Sequence, residues 1–138
     1  MWIVYAIGSS FFAGITAILA KCGIRRTDSD VATAIRTIVV LLFSWLMVLS
    51  TGTIWGIVNI DGKTVLFLVL SGLATGVSWM CYYKALQGGP ASVVVPIDKL
   101  SILVTIAFSR IVFHEKLTKK AVAGLLCMTV GTLLLAVM

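Results

Sequence analysis

Five stretches of this sequence, residues 2–20, 31–51, 65–86, 92–113 and 121–138, are almost wholly apolar, and short polar segments separate them. Each has the length of one membrane crossing, since about 20 apolar residues span the ~30 Å hydrocarbon core of a bilayer. That core supplies no water to backbone N–H and C=O groups, so a crossing segment must be a helix or part of a closed barrel. Long apolar runs of this kind fit helices. The expected fold class is therefore an all-α membrane protein, a single bundle of five transmembrane helices over residues 1–138, without strands or an extramembrane domain. Such helices suit a bacterial inner membrane better than an outer-membrane barrel.

Composition supports the same solvent. Of the 138 residues, 60% are hydrophobic and 12% charged, and mean hydropathy is +1.12. Soluble domains carry about 25% charged residues, and so short a chain has too much surface to hide this much apolar area from water. The net charge of +6 comes from 11 Lys and Arg against 5 Asp and Glu. These bases are dispersed, as membrane-flanking charges are, and form no basic tract interleaved with aromatics that would point to nucleic acid. The first run has no charge before Lys21. It lacks the basic start and short apolar stretch of a cleaved signal peptide, and is expected to persist as the first crossing.

The interruptions place the ends of the helices. "KCGIRRTDSD" is the first loop, with Asp30 as the expected N-cap of the second helix. "TGTIWGIVNIDGKT" is the second loop, with Trp55 suited to the interface. "QGGP" makes a short turn, and "HEKLTKK" precedes the last run.

The fourth run raises a question of energy. Ten uncharged residues lie between Lys99 and Arg110, too few to cross alone. The preceding "ASVVVPI" must belong to the crossing, which puts Asp98 and Lys99 inside it. Ionisable groups at such depth cost several kcal/mol if left in lipid, so they should face protein or a wet cavity. Pro96 removes a backbone N–H and should kink the helix. Lys99 is expected to point into a central cavity and Asp98 to pair with a base, Arg36 first and Lys84 second. Neighbouring residues lie about 100° apart on a helix, which argues against Asp98 pairing with Lys99. Trp79 and Tyr83, at i and i+4, share a face and either belong to an interfacial belt or line a solute pathway. Arg36, Trp79, Tyr83, Lys84, Asp98 and Lys99 are the candidate substrate-binding residues.

Small residues recur on single helix faces at Ser10 and Gly14, Gly72 and Gly76, and Gly124 and Gly131. They permit close helix approach in lipid. Packing within the protomer is expected for these faces, except for one dimer seam, best placed on the last helix. Cys22, Cys81 and Cys127 fall on different runs and form no C-x-x-C, and His114 is the single histidine. No zinc-type site, catalytic Ser/Cys–His pair, carboxylate pair or cofactor motif is visible, so an enzyme is not expected.

"GLATGVSWMCYYKALQGGPASVVVPIDKLSILVTIAFSRIVFHEKLT" resembles the EamA-type domain of the drug/metabolite transporter superfamily. The resemblance is carried by "YYKAL", by the "GPASVVVP" turn and by "HEKLT", while "FFAGITAILAKCGI" and "ATAIRTIVV" match the opening helices of that domain. It implies a five-helix half-transporter. Most relatives carry two such domains in tandem with inverted halves. One domain implies a need for a second copy or a partner. The small multidrug resistance proteins of the same superfamily use a glutamate in their first helix; the first run here has no acidic residue, which leaves Asp98 as the candidate for proton coupling.

Loop charge gives almost no orientation signal. Lys21, Arg25, Arg26 and Lys84 flank one side, and Lys63, Arg110, Lys116, Lys119 and Lys120 the other, four against five. The positive-inside rule needs an asymmetry. The expectation is dual insertion and an antiparallel homodimer that rebuilds an inverted repeat; the alternative is one fixed orientation with a parallel dimer or a heteromeric partner. The expected function is secondary transport of a small organic solute by alternating access. Embedded bases outnumber acids, which favours an anionic or zwitterionic substrate. The alternatives are a flippase, or flippase subunit, for a lipid-linked phosphate intermediate, and a non-transporting accessory subunit.

Overall fold

A computed structural model describes residues 1–114 and 116–137. Among them there is no strand, and five helical spans are long and apolar enough to cross a membrane. They are α1 (Trp2–Gly23), α2 (Ser29–Ser50), α3 (Gly62–Gly88), a fourth span made of α4 (Ala91–Asp98) and α5 (Ser101–Val112), and α6 (Lys119–Val137). The apolar runs and these helices agree closely. The clearest difference is α3, which at 27 residues is about 40 Å long at 1.5 Å per residue. It outreaches the hydrocarbon core and carries Lys63 and Gln87 to its two ends.

Polar groups within the spans are mostly answered locally. The hydroxyls of Thr16, Ser44 and Thr75 each donate to the carbonyl four residues earlier at 2.8 Å. Thr33, Thr129 and Thr132 do the same. A hydroxyl bonded inside its own helix can face lipid without an unpaired donor.

Two loop readings change. The N-cap of α2 is Asp28, in an extended conformation, and Asp30 is already in the helix. No side chain caps this end, so the two acidic residues favour it through the positive helix terminus. The second loop contains a 3-10 helix, Thr53–Asn59. It follows Gly52, whose φ of +69° is the left-handed turn that commonly ends a helix. Its apolar side chains, Ile54, Trp55, Ile57 and Val58, are exposed, as residues suited to a membrane interface are.

The interruption of the fourth span falls three residues beyond Pro96. At Lys99 and Leu100 the backbone leaves the α-helical pattern. Lys99 N–H is shared between the carbonyls of Val95 and Pro96 at 3.3 and 3.1 Å, and Leu100 N–H reaches Ile97 at 3.0 Å. Ile102 and Leu103 continue with bonds to Lys99 and Leu100. These three-residue spacings are a tightened 3-10-like turn. Regular helical geometry does not hold across it, and Asp98 and Lys99 do pair, with Lys99 Nζ 3.8 Å from Asp98 Oδ2. The tightened turn does not itself bring neighbours together, since three residues per turn sets them about 120° apart; the contact is made by the reach of the flexible lysine side chain, and it is a wide one.

The small-residue faces also differ from expectation. A Cβ added at Gly14, Gly72, Gly76, Gly124 or Gly131 would meet nothing within 4 Å. Within its own compact unit, each of these positions is left open.

The chain divides into two compact units, Met1–Ala17 with Gly88–Met138, and Ile18–Gln87. In the first, α4 packs against α6. In the second, the 3-10 helix packs against α2. The buried residues of the second unit are Ile24, Ser29, Thr33, Tyr83 and Leu86. They gather where α1 ends, α2 begins and α3 ends, and this small core positions the features described next.

Candidate functional site

Arg36 is the second-turn cation of α2, and it lies against the last third of α3. Its guanidinium carbon stands 3.5 Å from the centroid of the Trp79 ring. The ring's negative face attracts the cation, and the contact is worth about 0.5–2 kcal/mol depending on desolvation. Trp79 in turn meets Tyr83 edge-to-face at 5.7 Å and 82°, and Tyr82 at 5.4 Å and 85°. Tyr83 is buried, while Arg36 and Trp79 are half-buried. The i, i+4 spacing that put Trp79 and Tyr83 on one face is thus realised, with Arg36 as the third member.

This arrangement leaves chemistry unspent. Stacking occupies the flat face of the guanidinium and leaves its N–H edge available. Arg36 makes no hydrogen bond or ion pair with a described residue. A fork of N–H donors beside aromatic rings suits a planar anion such as a carboxylate, held in bidentate fashion while its organic part rests on the rings.

The remaining expected residues are placed differently. Lys84 follows Tyr83 by about 100° of helix and is exposed, off the stack. Asp98 and Lys99 belong to the other compact unit, at the interruption of the fourth span, where their side chains are 38% and 51% exposed. Asp98 was expected to pair first with Arg36; its described ion pair is with Lys99, and Arg36 is engaged with Trp79.

Two contacts were missed by sequence reasoning. Lys21 Nζ donates to the Leu86 carbonyl, and Gln87 Nε2 donates to the carbonyls of Thr27 and Ile24 at 2.8 and 3.3 Å. Together they fasten the first loop to the end of α3. The signal lay in the residue types: a base in the last turn of α1 and an amide at the end of α3 both sit where helix carbonyls lack intrahelical partners.

A larger hollow of about 560 Å³ lies between α2 and the 3-10 helix, walled by Leu41, Trp45, Val48 and Ile57. No charged side chain lines it, so it offers nothing to distinguish an organic solute from a lipid chain. The Arg36 cluster carries the chemistry.

The helices describe a multi-pass membrane protein. The chain belongs to the EamA-like transporter family, which it matches over residues 1–137, and it is a membrane transporter of that superfamily. It is 44% identical over 136 residues to a protein of a Sinorhizobium species described as an uncharacterized transporter in the cobO 3′ region, covering 99% of this chain and 96% of the relative. It is also 28% identical over 105 residues to an uncharacterized protein of Methanocaldococcus jannaschii, covering 70% of this chain and 77% of the relative. Both relatives are thus near the length of one five-helix unit. No solved structure matches the chain.

Proposed function

We propose that this protein is a secondary transporter of a small anionic or zwitterionic organic solute, a carboxylate in the first instance, working by alternating access. The observation that carries the proposal is Arg36 stacked on Trp79 beside buried Tyr83, with its N–H edge uncommitted. Arg36 holds the acid group, and Trp79 and Tyr83 hold the organic part. Lys84, Asp98 and Lys99 stand apart from this stack, as exposed or half-exposed charges that set charge preference along the route. The tightened turn at Lys99 gives the fourth span a point of movement, as interrupted helices do in other transporters.

Residues 1–138 act as one EamA-like domain, and two copies form an antiparallel homodimer in a bacterial inner membrane. Three observations support the pairing: the near-equal charge of the two sides, the open faces of Gly124 and Gly131 on α6, and relatives that are themselves one unit long. Small residues with nothing over them let a second helix approach closely.

Uptake into liposomes containing this protein alone tests the function. Labelled aromatic carboxylates, amino acids and amines of similar size are compared. Concentrative or exchange uptake of the carboxylate or the amino acid, and not the amine, is the expected result. Preference for the amine overturns the substrate class, and no uptake of any solute favours the accessory-subunit reading.

A further inference from the structure

We infer that the hollow around Arg25 and Arg26 is a binding site for a phosphate group at the membrane–water boundary, separate from the Arg36 cluster and independent of which solute is carried. The hollow measures about 460 Å³ and lies where α1 and α3 end. Ile24 and Leu86, 3% and 0% exposed, are the packed base beneath it and present almost no surface of their own. Its rim is basic, formed by Lys21, Arg25 and Arg26, and no acidic side chain lines it. The nearest acids along the chain, Asp28 and Asp30, lie at the start of α2.

The pattern of hydrogen bonds sets the sign of the ligand. Three carbonyls around the hollow are already engaged: that of Leu86 by Lys21, and those of Ile24 and Thr27 by Gln87. Each carbonyl keeps a second lone pair, but a cation would face three positive charges, Lys21, Arg25 and Arg26. Arg25 and Arg26, by contrast, make no hydrogen bond or ion pair with a described residue. Two guanidinium forks therefore remain, and they match an oxyanion with several acceptor oxygens. The contacts of Lys21 and Gln87 tether the loop that carries them, so part of the ordering is done before the ligand arrives.

A plainer reading is that these bases only neutralise the carbonyl ends of α1 and α3. That accounts for Lys21, which bonds such a carbonyl. It does not account for Arg25 and Arg26, which bond none among the described residues. Position favours phosphate over other anions. Lys21 stands in the last turn of an apolar crossing, and anionic lipids attract bases at the ends of such crossings. A lipid headgroup and a free phosphate-bearing solute share this chemistry.

Native mass spectrometry of the full-length protein in mild detergent tests the site. The probes are phosphatidylglycerol and a diacylglycerol with the same acyl chains, with and without millimolar inorganic phosphate. The wild type should retain phosphatidylglycerol over diacylglycerol. Replacing Arg25→Gln and Arg26→Gln together should lower that retention roughly tenfold to thirtyfold, the worth of two cations near a membrane surface. The matched pair Lys119→Gln and Lys120→Gln should leave it unchanged. Displacement by inorganic phosphate identifies the phosphate alone as sufficient; retention in its presence identifies the lipid headgroup as the ligand. Equal retention of the two lipids by the wild type overturns the proposal, whether or not the double variant folds. Equal losses in both double variants overturn it too, since any surface charge would then serve.

Discussion

Arg36 and Lys99 are both cations set within apolar spans, and the protein accommodates them in opposite ways. Arg36 lies half-buried against the Trp79 ring, in a stack that includes buried Tyr83. Lys99 sits half-exposed on a 3-10-like turn, 3.8 Å from the carboxylate of its own chain neighbour. In the first case an aromatic face replaces part of the water around the charge and fixes it, leaving the N–H edge for a ligand. In the second the two charges offset one another loosely, and so wide a contact in lipid would not meet the cost of dehydrating them. Lys99 therefore needs a wet surrounding. On the proposed reading Arg36 is the fixed recognition group, and the Asp98–Lys99 turn is the part that responds to water and to movement.

The comparison breaks most readily at Arg36. Arg36→Ala should lower solute uptake by roughly tenfold to a hundredfold, the worth of one charge-assisted hydrogen bond, while size-exclusion behaviour stays unchanged. Arg36→Lys keeps the charge but loses the fork and should recover only part of the rate. Unchanged uptake by Arg36→Ala would remove the residue from the site.

Trp79→Ala should come next, with uptake reduced by roughly threefold to tenfold and a lower unfolding midpoint, because it takes away both the support for Arg36 and the contact with Tyr83. Trp79→Phe, which keeps a ring face, should lie between it and the wild type. A loss of stability with no change in the uptake of the folded fraction would make the stack a structural contact alone.

The smallest effects belong to the fourth span. Lys99→Ala should reduce uptake by about twofold to threefold without affecting folding, as expected for an exposed charge that steers more than it binds. Asp98→Asn should flatten the pH dependence of uptake if Asp98 carries the coupling proton. Wild-type rates and wild-type pH dependence in both variants would assign the pair to interfacial charge, and the contrast with Arg36 would become one of a site against a surface.

Hydrophobic patterning was enough to read the five crossings, because a run of apolar residues has one stable form in lipid. It was also enough to put Trp79 and Tyr83 on one face. It did not pair Arg36 with Trp79, since that contact joins two helices and patterning along a helix carries no information about its neighbour. The Asp98–Lys99 contact was misread for a different reason. Helix geometry separates the directions of neighbouring side chains but does not limit how far a long lysine bends back, and the contact it reaches is a wide one of 3.8 Å. The tethering of the first loop by Lys21 and Gln87 escaped for want of any local signal that a side chain on one helix would satisfy the carbonyl of another.

The central claim is a transporter assembled from two inverted copies of one five-helix unit. Two orientation-locked variants test it directly, one with added lysines in the first and third loops and one with added lysines in the second and fourth. Each is expressed alone and together with the other, and uptake of the carboxylate is measured in membrane vesicles. The account predicts uptake near the wild-type rate when both are present and little from either alone. Full uptake by one locked variant expressed alone would contradict it.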